Sequence, residues 1–403
     1  MNQTIRNLLL LFPAGGIKWL LRDEFTDTRA AGAVNGTPAT PGPGTRDVVI
    51  DTDGDALSIA GGSLVFANPN GAYGDPGIWY GAMTRTAGRV LLSKVNCSVI
   101  RTGAVGFDGD QTGAASSSRL HFNTKPSILA DKVVTIAAWT TDIDYMCVVV
   151  LRGTGAYYLI KGGAFATWTL LWVRATDNTA TLYPCWVPYN FEAVIDYFRI
   201  PVALWLPTPL AYDSFTRANG AIGISETVGP DGQATPARTW NNRVGTTLVA
   251  SNKAQASVLD GGVAIATVNT GTVNAITGAT LTRAGNEVGV VLRYADADNY
   301  IRTIHDGTNC KLIKRVAAAE TDVISAVVAL GAGAIRVIPD GTSFALYLND
   351  AQVGTTSTIS DAALQTGTEQ GLYSTNLGNT QDGFTVFARG SNGEYAALNK
   401  WSF

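Results

Sequence analysis

The stretch Asp340-Gly341-Thr342-Ser343-Phe344-Ala345-Leu346-Tyr347-Leu348-Asn349 decides the fold class. Phe344, Leu346 and Leu348 alternate with Ala345, Tyr347 and Asn349, the period of two of a strand with one buried face. Asp340-Gly341 supplies the turn that introduces it. Outward in both directions the same grammar recurs: strand-length apolar runs separated by Gly, Asn-Gly and Asp-Gly turns. No long window carries apolar residues at helical spacing between caps, and no heptads are sustained. This predicts an all-β sandwich.

The chain states the pattern twice. Asp23-Glu-Phe25-Thr26 returns 190 residues later as Asp213-Ser-Phe215-Thr216. Leu57-Ser-Ile59-Ala-Gly61-Gly62 is matched by Ser257-Val-Leu259-Asp-Gly261-Gly262. Val149 to Ile160 aligns with Ile335 to Leu346, and Asp196-Tyr-Phe198-Arg-Ile200 with Asp382-Gly-Phe384-Thr-Val386, both 186 residues apart. Between the copies, Pro201, Pro207 and Pro209 stiffen a connector. The expected organisation is an apolar arm (1–20), a first jelly-roll domain (21–200), a Pro-rich linker (201–210), a second jelly-roll domain (211–389) and a tail (390–403).

The length of 403 residues suits two domains, and 46% apolar residues give each a core. Charged residues are 15% against the usual ~25%, which suits extracellular and virion β-proteins and surfaces buried by assembly. A net charge of −3 without a basic run argues against nucleic acid. Leu8 to Phe12 is shorter than the ~7–15-residue core of a signal peptide and far short of the ~20 residues of a membrane span. It is expected to be a docking arm. Cys97, Cys147, Cys185 and Cys310 form no CxxC pair. They are expected to be buried thiols, with Cys97–Cys147 or Cys147–Cys185 bridges as the alternatives.

The second copy carries a resemblance. Asp213-Ser-Phe215-Thr-Arg217, then Val288 to Tyr300 with Arg293-Tyr294-Ala-Asp296-Ala-Asp298-Asn299, then Asp340-Gly341 and Gln370-Gly371-Leu-Tyr373 resemble in order the concanavalin A-like, laminin-G-like jelly roll. Copy one matches it less well, with Val105-Gly106-Phe107-Asp108 in the middle. Such domains recur in carbohydrate-binding proteins and bacteriophage structural proteins. The resemblance implies a two-sheet sandwich, often with glycan or protein binding on a sheet or its rim loops. Inference of function from fold is analogy.

Catalytic chemistry finds little support in the residue order. Glycoside hydrolysis needs two carboxylates about 5 to 10 Å apart, and no two of Glu24, Glu192, Glu226, Glu287, Glu320, Glu369 and Glu394 lie within five residues. His121 and His305, the only histidines, read as structural, and no nucleophile elbow is present. Calcium is the one cofactor to consider: Asp51, Asp53 and Asp55 space carboxylates as hard-cation loops do, although Ala56 and Gly62 depart from the EF-hand pattern. Asp296 and Asp298 are a second candidate pair. Trp79, Tyr80, Trp168 and Trp186 are the aromatics singled out for stacking on a glycan or partner.

The leading expectation is therefore a non-enzymatic virion protein, of a bacteriophage tail tip, spike or capsid decoration. It would contact other virion proteins, form a homo-oligomer and touch host-surface glycan. The alternatives are a secreted or cell-surface carbohydrate-binding protein and a glycan-active enzyme with an unrecognised site.

Overall fold

The computed structural model describes residues 17–30, 33–50, 57–66, 77–98, 102–111, 116–122, 126–128, 132–133, 139–174, 177, 179–189, 193–329, 332–390 and 393–401. The chain is all-β and divides into two units. The first comprises residues 1–206 and 390–403, the second 207–389.

The first unit contains, in chain order, β1 (Trp19–Asp23), β2 (Arg46–Ile50), β3 (Leu57–Ala60), β4 (Ser63–Phe66), β5 (Gly77–Tyr80), β6 (Met83–Thr84), β7 (Val90–Cys97), β8 (Thr102–Asp108), β9 (Ser116–Phe122), β10 (Pro126–Ile128), β11 (Lys132–Val133), β12 (Asp144–Leu151), β13 (Ala156–Gly162), β14 (Phe165–Arg174), β15 (Thr181–Tyr189) and β16 (Ala193–Pro201). The second contains β17 (Ala211–Asp213), β18 (Gly220–Ala221), β19 (Asn241–Val244), β20 (Thr246–Ala250), β21 (Lys253–Val258), β22 (Ala264–Asn269), β23 (Ala275–Thr282), β24 (Val288–Asp296), β25 (Asn299–His305), β26 (Asn309–Val316), β27 (Ala319–Val327), β28 (Ala332–Asp340), β29 (Ser343–Leu348), β30 (Ala351–Thr358), β31 (Glu369–Ser374) and β32 (Thr380–Ala388).

Both units have the same topology. The first sheet runs β3-β4-β16-β7-β12-β13-β14 in one and β20-β21-β32-β23-β28-β29-β30 in the other, with β1 added to β16 and β17 to β32. The second sheet runs β2-β5-β15-β8-β9-β10-β11 and β19-β22-β31-β24-β25-β26-β27. Read in chain order, the two series coincide strand for strand. The exceptions are β6, which pairs only with β15, and β18, which pairs only with β20. All these pairings are antiparallel, so each strand alternates a face turned to its partner sheet with one turned away.

Three of the four sequence matches fall on corresponding strands: β1 with β17, the β12–β13 hairpin with β28–β29, and β16 with β32. The Gly-Gly match does not. Gly61-Gly62 closes the β3–β4 hairpin, whereas Gly261-Gly262 lies between β21 and β22, in different sheets. The true counterpart of the β3–β4 turn is Ser251-Asn252, at φ +52° and +59°. The false match has a local cause: both Gly-Gly pairs are left-handed, at φ +63° and +82° and at +58° and +85°. One turn conformation selects one dipeptide wherever it occurs.

The Asp-x-Phe repeat marks a buried polar node in each unit. Asp23 and Asp213 are fully buried. Each Oδ1 accepts the backbone N–H of the phenylalanine two residues on, at 3.2 Å for Phe25 and 2.8 Å for Phe215. Both phenylalanines are left-handed, at φ +50° and +53°, a conformation that costs an L-residue roughly 1–2 kcal/mol. The carboxylate compensates by fixing the turn. An arginine then grips each carboxylate with two bonds. Arg46 reaches Asp23 at 2.7 Å through both Nε and Nη2, and Arg217 reaches Asp213 at 2.7 and 2.9 Å. An aromatic donor completes each node: Tyr80 Oη to Asp23 at 3.0 Å and Trp240 Nε1 to Asp213 at 2.8 Å. These rings pack on Phe198 and Phe384, the residues paired with the two aspartates.

Residues 390–403 belong to the first unit. Gly390 bridges Thr169, Tyr395 and Leu398 are fully buried, and Trp205 meets Tyr395 edge to face at 6.3 Å. The short helix α1 (Ala396–Trp401) brings Asn399 to accept the indole N–H of Trp168 at 2.8 Å. All four cysteines are free and buried.

Candidate functional site

Trp79, Tyr80, Trp168 and Trp186, singled out for ligand stacking, are interior, each at most 2% exposed. Tyr80 serves the Asp23 node, Trp168 is held by Asn399, and Trp186 packs on Phe66 at 6.3 Å. Trp79 joins Cys185 and Val187 in a small cluster and donates its indole N–H to Asp108 at 3.3 Å. Their rings are used in packing, so they offer no stacking surface. Asp51, Asp53 and Asp55 lie outside the described residues. Asp296 is a turn acceptor, bonded to the N–H of Asp298 and the side chain of Asn299 at 2.8 and 2.9 Å. Among the described residues no cluster of His, Cys, Asp or Glu could hold a metal ion. His305 is buried; its Nε2 donates to the Val328 carbonyl and its Nδ1 accepts the Gly307 N–H, which holds a turn. No helix among the described residues is long and apolar enough to cross a membrane.

The side chains that do converge lie on the second sheet of the second unit, on the face turned away from its partner. The register aligns them across the strands. Ile265, Tyr373, Gly289 and Ile304 form one row, and Thr267, Gly371, Val291, Arg302 and Ile313 the next. Glu369 with Tyr294, and Tyr300 with Arg315 and Glu320, lie beyond. Tyr294, Tyr300 and Tyr373, at most 7% exposed, form a buried apolar floor with Ile265, Val291, Ile304 and Ile313. Glycine is required within it: a Cβ at Gly289 would meet the Thr303 carbonyl oxygen, and one at Gly371 that of Ala266.

Charged groups roof this floor. The Arg302 guanidinium lies over the Tyr373 ring at 4.7 Å from its centroid, and that of Arg315 over Tyr300 at 5.9 Å. Arg302 binds Glu320 through two bonds, at 2.5 and 2.8 Å, and has Glu287 at 3.6 Å. Tyr373 Oη donates to Glu287 at 3.2 Å. Arg315 also binds Glu320, at 3.0 Å. Arg243 pairs with Glu369, which accepts the Thr267 hydroxyl at 2.6 Å. The bonds from Arg302 hold the Glu320 carboxyl below its usual range, and burial pushes the Tyr373 phenol up. The carboxylate is therefore ionised and the phenol neutral at physiological pH.

The corresponding sheet of the first unit carries a different group. Arg119 Nη1 and Trp79 Nε1 both approach Asp108 Oδ2 at 3.3 Å. Burial pushes the Asp108 carboxyl up to about 6, against the pull of Arg119 and Trp79. Asp108 and Arg119 are almost fully enclosed.

Sequence reasoning quoted Tyr294, Tyr300 and Tyr373 as marks of the fold and missed them as parts of a site. Glu287, Glu320 and Glu369 were set aside because they are far apart in sequence, yet Glu287 and Glu320 meet at one guanidinium.

No protein-family model and no curated protein matches the sequence. Among solved structures, the chain is similar to the carbohydrate-binding module CBM66 of Bacillus subtilis, with 17% identity over 38% of this chain and 92% of that one, at a TM-score of 0.29. It is similar to a xylan β-1,4-xylosidase of Bacillus halodurans, with 12% identity over 82% and 81% of the two chains and a TM-score of 0.29. It is also similar to domains LG4-5 of the mouse laminin α1 chain, with 9% identity over 85% and 91% and a TM-score of 0.21. The bacteriophage and virion expectation finds no support among them. The expectation that the chain is not an enzyme is withdrawn: the spacing argument behind it fails where Glu287 and Glu320, far apart in sequence, converge on Arg302.

Proposed function

We propose that the chain recognises carbohydrate through the outer face of the second sheet of its second unit. One observation carries the reading: above three buried tyrosines, the partly exposed side chains of Arg243, Arg315, Glu287 and Glu320 are held in fixed ion pairs around the nearly enclosed Arg302. Planar groups with bidentate geometry match the adjacent hydroxyls of a sugar ring. The tyrosine rings beneath them, at most 7% exposed, support these groups and are themselves covered. Extracellular or cell-surface residence agrees with the low charge of the chain.

The test is a glycan array probed with the whole chain, alongside Tyr373→Phe. Retention on one glycan class, weakened by the variant, supports the reading. Absence of retention on every class overturns it.

A second reading rests on the two carboxylates at Arg302. Two acids brought to one centre are the minimum equipment for glycoside hydrolysis. Since Glu320 is held ionised by Arg302, it would serve as base or nucleophile. Release of reducing ends from the retained glycan, abolished by Glu320→Gln, would establish turnover. Equal release by the variant would remove Glu320 from that role.

A further inference from the structure

Resting on the proposed recognition face, we infer that its ligand is a neutral glycan, and that uronate- or sulfate-bearing sugars are rejected. The cations of this sheet are already committed. Arg243 is paired with Glu369, and Arg302 with Glu320 and Glu287. Lys311 is paired with Asp322 at 3.1 Å, Arg315 with Glu320 at 3.0 Å and Asp298 at 3.5 Å, and Lys314 with Asp361 at 2.8 Å. Arg293 has no carboxylate but spends its donors on neutral acceptors. Its Nε bonds the Val273 carbonyl, Nη1 the Leu364 carbonyl and the Gln365 side chain, and Nη2 the Asn274 side chain and the Gly341 carbonyl.

An acidic sugar needs a guanidinium or ammonium free to receive it. Here it would have to break an existing pair and leave a carboxylate without its cation, a loss that the new contact merely repays. Glu287, Glu320 and Glu369 would also face the incoming anion across the same surface, and like charges brought together discriminate against the wrong ligand. Hydroxyls meet neither obstacle. They donate to carboxylate oxygens with lone pairs to spare, and they accept from guanidinium N–H groups without displacing the pair. The chain's net charge of −3 adds no long-range attraction for an anion.

The experiment measures binding of the whole chain to neutral glucan, xylan and mannan oligosaccharides, and to polygalacturonate and a sulfated galactan, between about 50 and about 500 mM NaCl, a range that screens exposed charge pairs. The expected result is binding to a neutral sugar whose affinity changes less than about twofold across that range. Glu369→Gln, which frees Arg243, is expected to raise affinity for polygalacturonate about fivefold at low salt. Tighter binding of an acidic glycan by the unaltered chain, lost about tenfold on adding salt, would overturn the inference and leave glycan recognition standing. No gain in Glu369→Gln would likewise overturn the claim that pairing is what excludes anions. Failure to bind any of these sugars would instead remove the recognition reading on which the inference rests.

Discussion

The buried nodes at Asp23 and Asp213 perform one task with different parts. In the first unit the arginine comes from the start of β2, 23 residues away, and the aromatic from β5. In the second the arginine is four residues along the same loop, and the aromatic, Trp240, stands just before β19, the counterpart of β2. The side chain of Arg46 is fully buried and also binds Asp27, while that of Arg217 is 27% exposed. Both nodes contain the carboxylate, the left-handed phenylalanine, a cation and an aromatic donor, but draw the last two from different places in the chain. The lesson is that a duplicated fold preserves requirements before it preserves residues.

The strongest way to break this comparison is to remove the two arginines. Arg46→Ala leaves buried Asp23 without its counter-ion and is expected to cost about 3–5 kcal/mol. Arg217→Ala lets water reach a partly open node and is expected to cost about 1–2 kcal/mol. Denaturant unfolding of each full-length variant reads both. Equal losses would mean that burial of the arginine does not set the difference.

Removing residues 390–403 tests the units against each other. The first loses the buried side chains of Tyr395 and Leu398 and the Trp168–Asn399 bond, worth about 3 kcal/mol. The second is expected to keep its transition, followed by hydrogen exchange of β24 and β25. Equal loosening of both would place the tail wrongly.

A pH titration sharpens the contrast between the two second sheets. Asp108 is raised to about 6 in the folded chain against ~3.9 unfolded. The native state thus holds the extra proton between those values, and stability falls as pH rises from about 4 to about 6, by the order of 2 kcal/mol. Glu320 has the opposite sign: its lowered value adds stability above the usual carboxylate range that is lost on acidification. Asp108→Asn is expected to flatten the fall in the first unit. An unchanged pH profile would contradict the assignment.

The smallest effect separates turn chemistry from position. Gly61→Ala and Gly261→Ala place a methyl in open space at φ +63° and +58°, so both are expected to cost about 1 kcal/mol. Their different places in the topology should not matter. A clear difference in melting temperature between the two variants would contradict that.

Much of the architecture was legible because its causes are local. The alternation along Phe344 to Leu348 set the strand, and Asp23-x-Phe25 and Asp213-x-Phe215 close hydrogen bonds over two residues, so both survive in a linear reading. The site was not legible, because its contacts are not local. Arg243 meets Glu369 across 126 residues and Tyr373 meets Glu287 across 86. Aromatic content misled for a related reason: alternation tells which residues share a face, but not whether that face is covered, and Trp79, Trp168 and Trp186 are all enclosed. Gly261-Gly262 misled because a dipeptide reports its turn and not its place in the sheet.

The most direct test of the recognition face is calorimetric titration of the whole chain with the glycan that it retains best, repeated with Arg243→Ala and Tyr373→Phe. The account predicts that each variant binds at least about fivefold more weakly, a loss of about 1 kcal/mol, with its unfolding transition unchanged. Binding at full strength by both variants would place recognition elsewhere on the molecule and contradict the account.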